Sequence, residues 1–113
     1  TNGERGLGSV TAHPKYGIEH NFVYVYYTYP KYGNCNNFNT ETGPINRLSR
    51  YTMLPGEAID LSTERVLIET ASTTNQMHNS GDIWFGKDDM MYISIGDGFG
   101  HREEVSQDNR NLF

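Results

Sequence analysis

Cysteine is nearly absent from this sequence: Cys35 is the single one, so no disulfide closes within the chain and no Cys-x-x-Cys metal site exists. A cysteine partner for it would have to lie outside these residues. Basic residues are also scarce. Nine Lys and Arg stand against fourteen Asp and Glu, for a net charge of −5, and they form no cluster. That excludes a nucleic-acid binder whose affinity rests on phosphate neutralisation. No stretch approaches the ~18 apolar residues of a membrane span, and the opening TNGERGLGSV has no apolar signal-peptide core. The chain starts in mid-motif and stops at QDNRNLF without a polar tail, so it reads as an excerpt of a larger protein.

What is present points to strands. Twelve glycines and eight tyrosines, with only 35% hydrophobic residues, describe a turn-rich all-β chain of one small domain. Such a domain buries roughly two thirds of the surface its unfolded chain exposes. Four runs rich in β-branched and aromatic residues are bounded by turn residues: GLGSVTAHP ending at Pro14, FVYVYYTY over Phe22 to Tyr29, INRLSRYTM over Ile45 to Met53, and RVLIET over Arg65 to Thr70. In the third, Ile45, Arg47, Ser49 and Tyr51 fall on one face and Asn46, Leu48, Arg50 and Thr52 on the other.

The pattern then restarts with DIWFG, Asp82 to Gly86, and MMYISIG, Met90 to Gly96. This pair resembles the first two runs, which makes one four-stranded unit and the opening half of a second. A repeating four-stranded unit is the mark of a β-propeller blade. Residues 30–44, PKYGNCNNFNTETGP, form a loop longer than a hairpin needs, either a solvated insertion or a binding loop.

Several residues are candidates for chemistry. His78, in TNQMHNSG, sits at the head of an inner strand, where a propeller places side chains toward the central pocket. Its imidazole is suited to accept a proton near neutral pH, or else it is a loop histidine bonded to its neighbours. Asp97, in IGDGFG, is suited to ligate calcium or to cap an Asx-type turn. His101, Arg102, Glu103 and Glu104 make either a solvated charge run or a pocket rim. His13 and His20 flank a turn and read as structural. GDGFG precedes no helical pattern and is not a dinucleotide fingerprint.

The motifs GERGLGSVTAHPKY, FVYVYYT, NRLSRYT, ERVLIE, HNSGDIWFGKDDMMYISIGDG and QDNRNLF occur in the order that resembles the glucose/sorbosone dehydrogenase family of six-bladed propellers. The resemblance covers Gly3 to Phe113. It implies that residues 1–113 are about one and a half blades of a six-bladed β-propeller, in an extracellular or periplasmic protein. It further implies pyrroloquinoline quinone and calcium as cofactors, a sugar substrate, and a separate electron acceptor. His78 falls on the histidine that acts as general base in the family's dehydrogenases, removing the sugar hydroxyl proton as hydride leaves for the quinone. Asp97 and Arg102 fall near the cofactor, Arg102 where those enzymes carry a glutamine. Gly8 and Ala12 stand where the family has leucine and phenylalanine, which predicts looser packing of the first strand. His78 makes a quinone-dependent sugar dehydrogenase the main reading; the family also holds binding propellers without redox chemistry, so a secreted propeller with a protein ligand is the alternative.

Overall fold

The computed structural model describes residues 3–56 and 58–98. Six strands build it: β1 (Leu7–Ala12), β2 (Phe22–Tyr29), β3 (Ile45–Leu54), β4 (Ala58–Ser72), β5 (Gly81–Phe85) and β6 (Met91–Ile95). β1 to β4 form one antiparallel meander, and β5 and β6 pair as a second antiparallel sheet. The described residues contain no helix. This is the expected four-stranded unit followed by half of another.

Strand alternation sorts the first sheet into two faces. Tyr24, Tyr26 and Leu48 point one way and meet Ile83 of the second sheet, with Phe85, Met91, Ile93 and Ile95 packed around them. Val23, Val25 and Tyr51 point the other way. Tyr51 pairs with Val23 and Leu48 with Tyr26 across β2 and β3, which confirms the assignment of faces read from INRLSRYTM. On the second face an apolar groove of about 360 Å³ runs between Leu7, Val25, Tyr27, Tyr51, Ile59 and Leu61.

Two strands depart from expectation. β4 begins at Ala58 and not at Arg65, because a bulge hides its first half from any period-two pattern. Across it Arg50 faces Arg65 while Thr52 faces Asp60. The excess residues are tied by the Asp60 side chain, which accepts from the Ser62 amide at 3.0 Å and hydroxyl at 2.6 Å. Thr63 completes the bulge by donating to the Asp60 carbonyl and accepting from the Thr52 amide. β1 also differs at one point: although most of the strand is exposed, Gly8 itself is closely packed. A side chain there would begin 2.8 Å from the Tyr26 ring, so the glycine is the space into which a fully buried tyrosine fits.

On the outer side of the second sheet Trp84 and Tyr92 stack with ring centroids 5.8 Å apart. His13 and His20 pack edge to face at 4.8 Å beside Phe22, at the far end of β1, which agrees with a structural role.

Candidate functional site

The candidate site lies where residues 3–6, the loop of residues 73–80 and the end of β6 converge. The loop is anchored first. The Thr73 amide donates to the Pro44 carbonyl at 2.7 Å, and the Asn79 side-chain amide donates to the carbonyls of Asn75 and Met77 at 2.9 and 3.0 Å. Asn79 is buried and Tyr26 donates to its carbonyl from beneath, at 3.4 Å. A short polar side chain that folds back on its own loop in this way takes the place of sheet pairing.

His78 is fixed at three points. Its amide donates to a Glu4 carboxylate oxygen at 2.5 Å, its carbonyl accepts from the Gly98 amide at 2.9 Å, and its Nδ1 lies 2.8 Å from an Asp97 carboxylate oxygen. Its φ of 56° lies in the left-handed region, uncommon for a residue with a side chain and tolerated best by Asn, Asp and His. Gly96 is required beside it, since a Cβ there would stand 2.2 Å from the His78 carbonyl oxygen. With the Asp97 carboxylate accepting from Nδ1–H, the neutral ring carries its acceptor lone pair on Nε2. The His78 side chain is 48% exposed and that of Asp97 30%.

Thus the structure brings together two of the residues singled out from the sequence. One oxygen of Asp97 is committed to His78, a contact that neither the calcium nor the turn reading of IGDGFG contained. Arg102, His101, Glu103 and Glu104 lie outside the described residues, as does QDNRNLF. Among the described residues no three His, Cys, Asp or Glu side chains gather as a cation site needs.

Two contributors went unread in the sequence: Glu4 and Arg5. Arg5 is buried, with 2% of its surface exposed, and donates to the Cys35 carbonyl and to the Thr73 carbonyl and hydroxyl at 2.9 and 3.3 Å. Its guanidinium also lies over the Phe38 ring at 5.0 Å. It therefore pins residues 30–44 to the loop that carries His78. The only signal was GERG itself, a charged pair between two glycines, both of which adopt positive φ.

A family model, Glucose / Sorbosone dehydrogenase, matches residues 1–113. The chain belongs to the glucose/sorbosone dehydrogenase family. Its two antiparallel sheets are accordingly a fragment of that family's propeller, one blade and the first half of the next. Hedgehog-interacting protein of Homo sapiens is 36% identical to it over 100 residues, 84% of this chain and 13% of the relative. Hedgehog-interacting protein of Mus musculus is 35% identical over the same shares. The chain thus spans 13% of the length of these curated relatives.

Proposed function

We propose that the protein carrying this chain is an extracellular binding propeller that presents its loops to a protein ligand. The likeness to Hedgehog-interacting protein, 36% over 84% of the chain, is the observation that carries this reading. The geometry supports it. Arg5 holds residues 30–44 against residues 73–80, which gives a braced pair of loops with Tyr32, Phe38 and Met77 exposed at 55%, 46% and 47%. Ordered loops that display aromatic and Met side chains bind with little loss of conformational freedom.

The test uses the full-length protein. An immobilised Hedgehog-type ligand should capture it, and the double variant Tyr32→Ser, Phe38→Ser should weaken binding about tenfold or more, as for aromatic anchors in other interfaces. No capture, together with dye-coupled oxidation of an aldose, would overturn the reading.

That second outcome has its own support in the His78–Asp97 pair. In the dehydrogenase reading Nε2 of His78 accepts the hydroxyl proton of an aldose, while the Asp97 carboxylate fixes the ring and stabilises the imidazolium that forms. Pyrroloquinoline quinone, when bound with its calcium, supplies the electrophile that takes the hydride. Among the described residues no three His, Cys, Asp or Glu side chains gather, and Arg102 is outside them, so what the described residues contribute to this reading is the base and its carboxylate. Here His78→Ala should lower turnover at least about a hundredfold.

A further inference from the structure

We propose that Glu4 is a positioning residue for His78: its carboxylate clasps the His78 amide and thereby aims the ring that Asp97 holds. The inference starts from how narrowly His78 is placed. Its backbone lies in the left-handed region at φ 56°, a conformation kept only where the surroundings over-determine it. The Asp97 contact fixes the ring but not the peptide plane. Gly98 restrains the carbonyl side of the residue, and Glu4 restrains the amide side.

The leading segment is built to deliver that carboxylate. Gly3 has φ 63°, and a Cβ on it would begin 2.6 Å from the Gln76 side chain, so only glycine lets the segment come this close. The Glu4 amide then donates to the Gln76 carbonyl at 2.9 Å, which sets the side chain over the next amide but one. Arg5, on the following residue, is tied to Thr73. The two ends of the His78 loop are therefore each held by one member of the Glu-Arg pair. Since Glu4 precedes the first sheet and His78 precedes the second, the clasp also joins one blade to the next.

A charged acceptor suits the task. Hydrogen bonds from an amide to a carboxylate are shorter and stronger than those to a neutral oxygen, and Glu4 is exposed, so its carboxylate keeps its hydration while it accepts. Shortening the side chain by one methylene withdraws the oxygen from the amide. Replacing it with glutamine leaves an oxygen in place.

The experiment is hydrogen exchange and ring nitrogen NMR on the full-length protein, comparing wild type with Glu4→Ala, Glu4→Asp and Glu4→Gln. Glu19→Ala, which breaks only a surface pair with Lys15, serves as control. Glu4→Ala and Glu4→Asp should each raise exchange of the His78 amide about tenfold or more, while the amides of β5 hold and Glu4→Gln returns the rate to within about threefold of wild type. The Nδ1–H signal of His78 should broaden or shift in the first two variants and recover in the third. Unchanged exchange at His78, failure of glutamine to rescue, or equal acceleration throughout β5 would each overturn the proposal.

The effect on turnover rests on His78 acting as a base; the effect on the His78 backbone does not. If the wild type reduces dye, Glu4→Ala should lower kcat about tenfold with KM changed less than about twofold, the pattern of lost positioning. If the wild type shows no turnover, the base reading fails, and exchange and ring signals alone decide for or against Glu4.

Discussion

The ring of Tyr26 fills the space between two glycines on different sheets: a side chain on Gly8 would begin 2.8 Å from it and one on Gly81 2.9 Å from it. Gly81 is the more constrained of the two, since its Cβ would also stand 2.2 Å from the Ser94 carbonyl oxygen, and backbone cannot swing aside. Gly81→Ala should therefore cost about 3 kcal/mol or more and Gly8→Ala about 1–3 kcal/mol, as overpacking does in other cores. Urea denaturation of the full-length protein measures both, and losses below about 1 kcal/mol would contradict the packing described.

Burial also pushes the Tyr26 phenol up from 10.0 to about 12. A group raised in the folded state adds stability that is complete below its unfolded pKa near 10 and is lost as the pH climbs through about 12. Alkaline unfolding, followed by circular dichroism together with tyrosinate absorbance, should fall in that window. Tyr26→Phe cannot ionise and should move the midpoint upward; an unmoved midpoint would assign the alkaline transition to other groups.

On the acid side, two partly buried glutamates around Arg47 contribute. Lys31 and then Arg47 hold Glu69 below the ordinary carboxylate value. Burial pushes Glu64 up, but donation from Tyr27, Ser49 and Tyr51 outweighs it and leaves Glu64 lowered as well. Groups lowered in the folded state stabilise above their unfolded pKa near 4.5 and lose that contribution as the pH falls through the folded value. Glu64→Gln should lower stability at neutral pH and flatten its decline in acid. A decline as steep as that of the wild type would remove Glu64 from this account.

Arg5→Met keeps most of the side-chain volume and removes the bonds to Cys35 and Thr73. The loss should be about 2–4 kcal/mol, the scale for breaking a buried charged network. Limited proteolysis should then cut within residues 30–44, where the wild type resists. Equal resistance would show that the loop holds itself.

How legible this was depends on the range of the interaction. β2 was readable to its ends and β3 to within one residue, because runs of β-branched, aromatic and alternating residues are bounded there by turn residues, even though burial extends over both faces. The first half of β4 was not, because the Asp60 bulge breaks the period that makes a strand visible. His78 and Asp97 were each recognisable from local motifs and family likeness, yet their contact spans 19 residues and depends on Gly96 and Gly98. Glu4 and Arg5 were illegible for a stronger reason: the His78 amide and Thr73 that they bond are 74 and 68 positions away, and nothing periodic marks a residue by contacts so distant.

That distance has a consequence during synthesis. At ribosomal speeds of 5–20 residues per second, about 4–15 s pass between the emergence of Glu4 and that of His78. Throughout that interval the Glu4 carboxylate lacks the amide it will clasp, and a molecular chaperone has time to hold the segment around it.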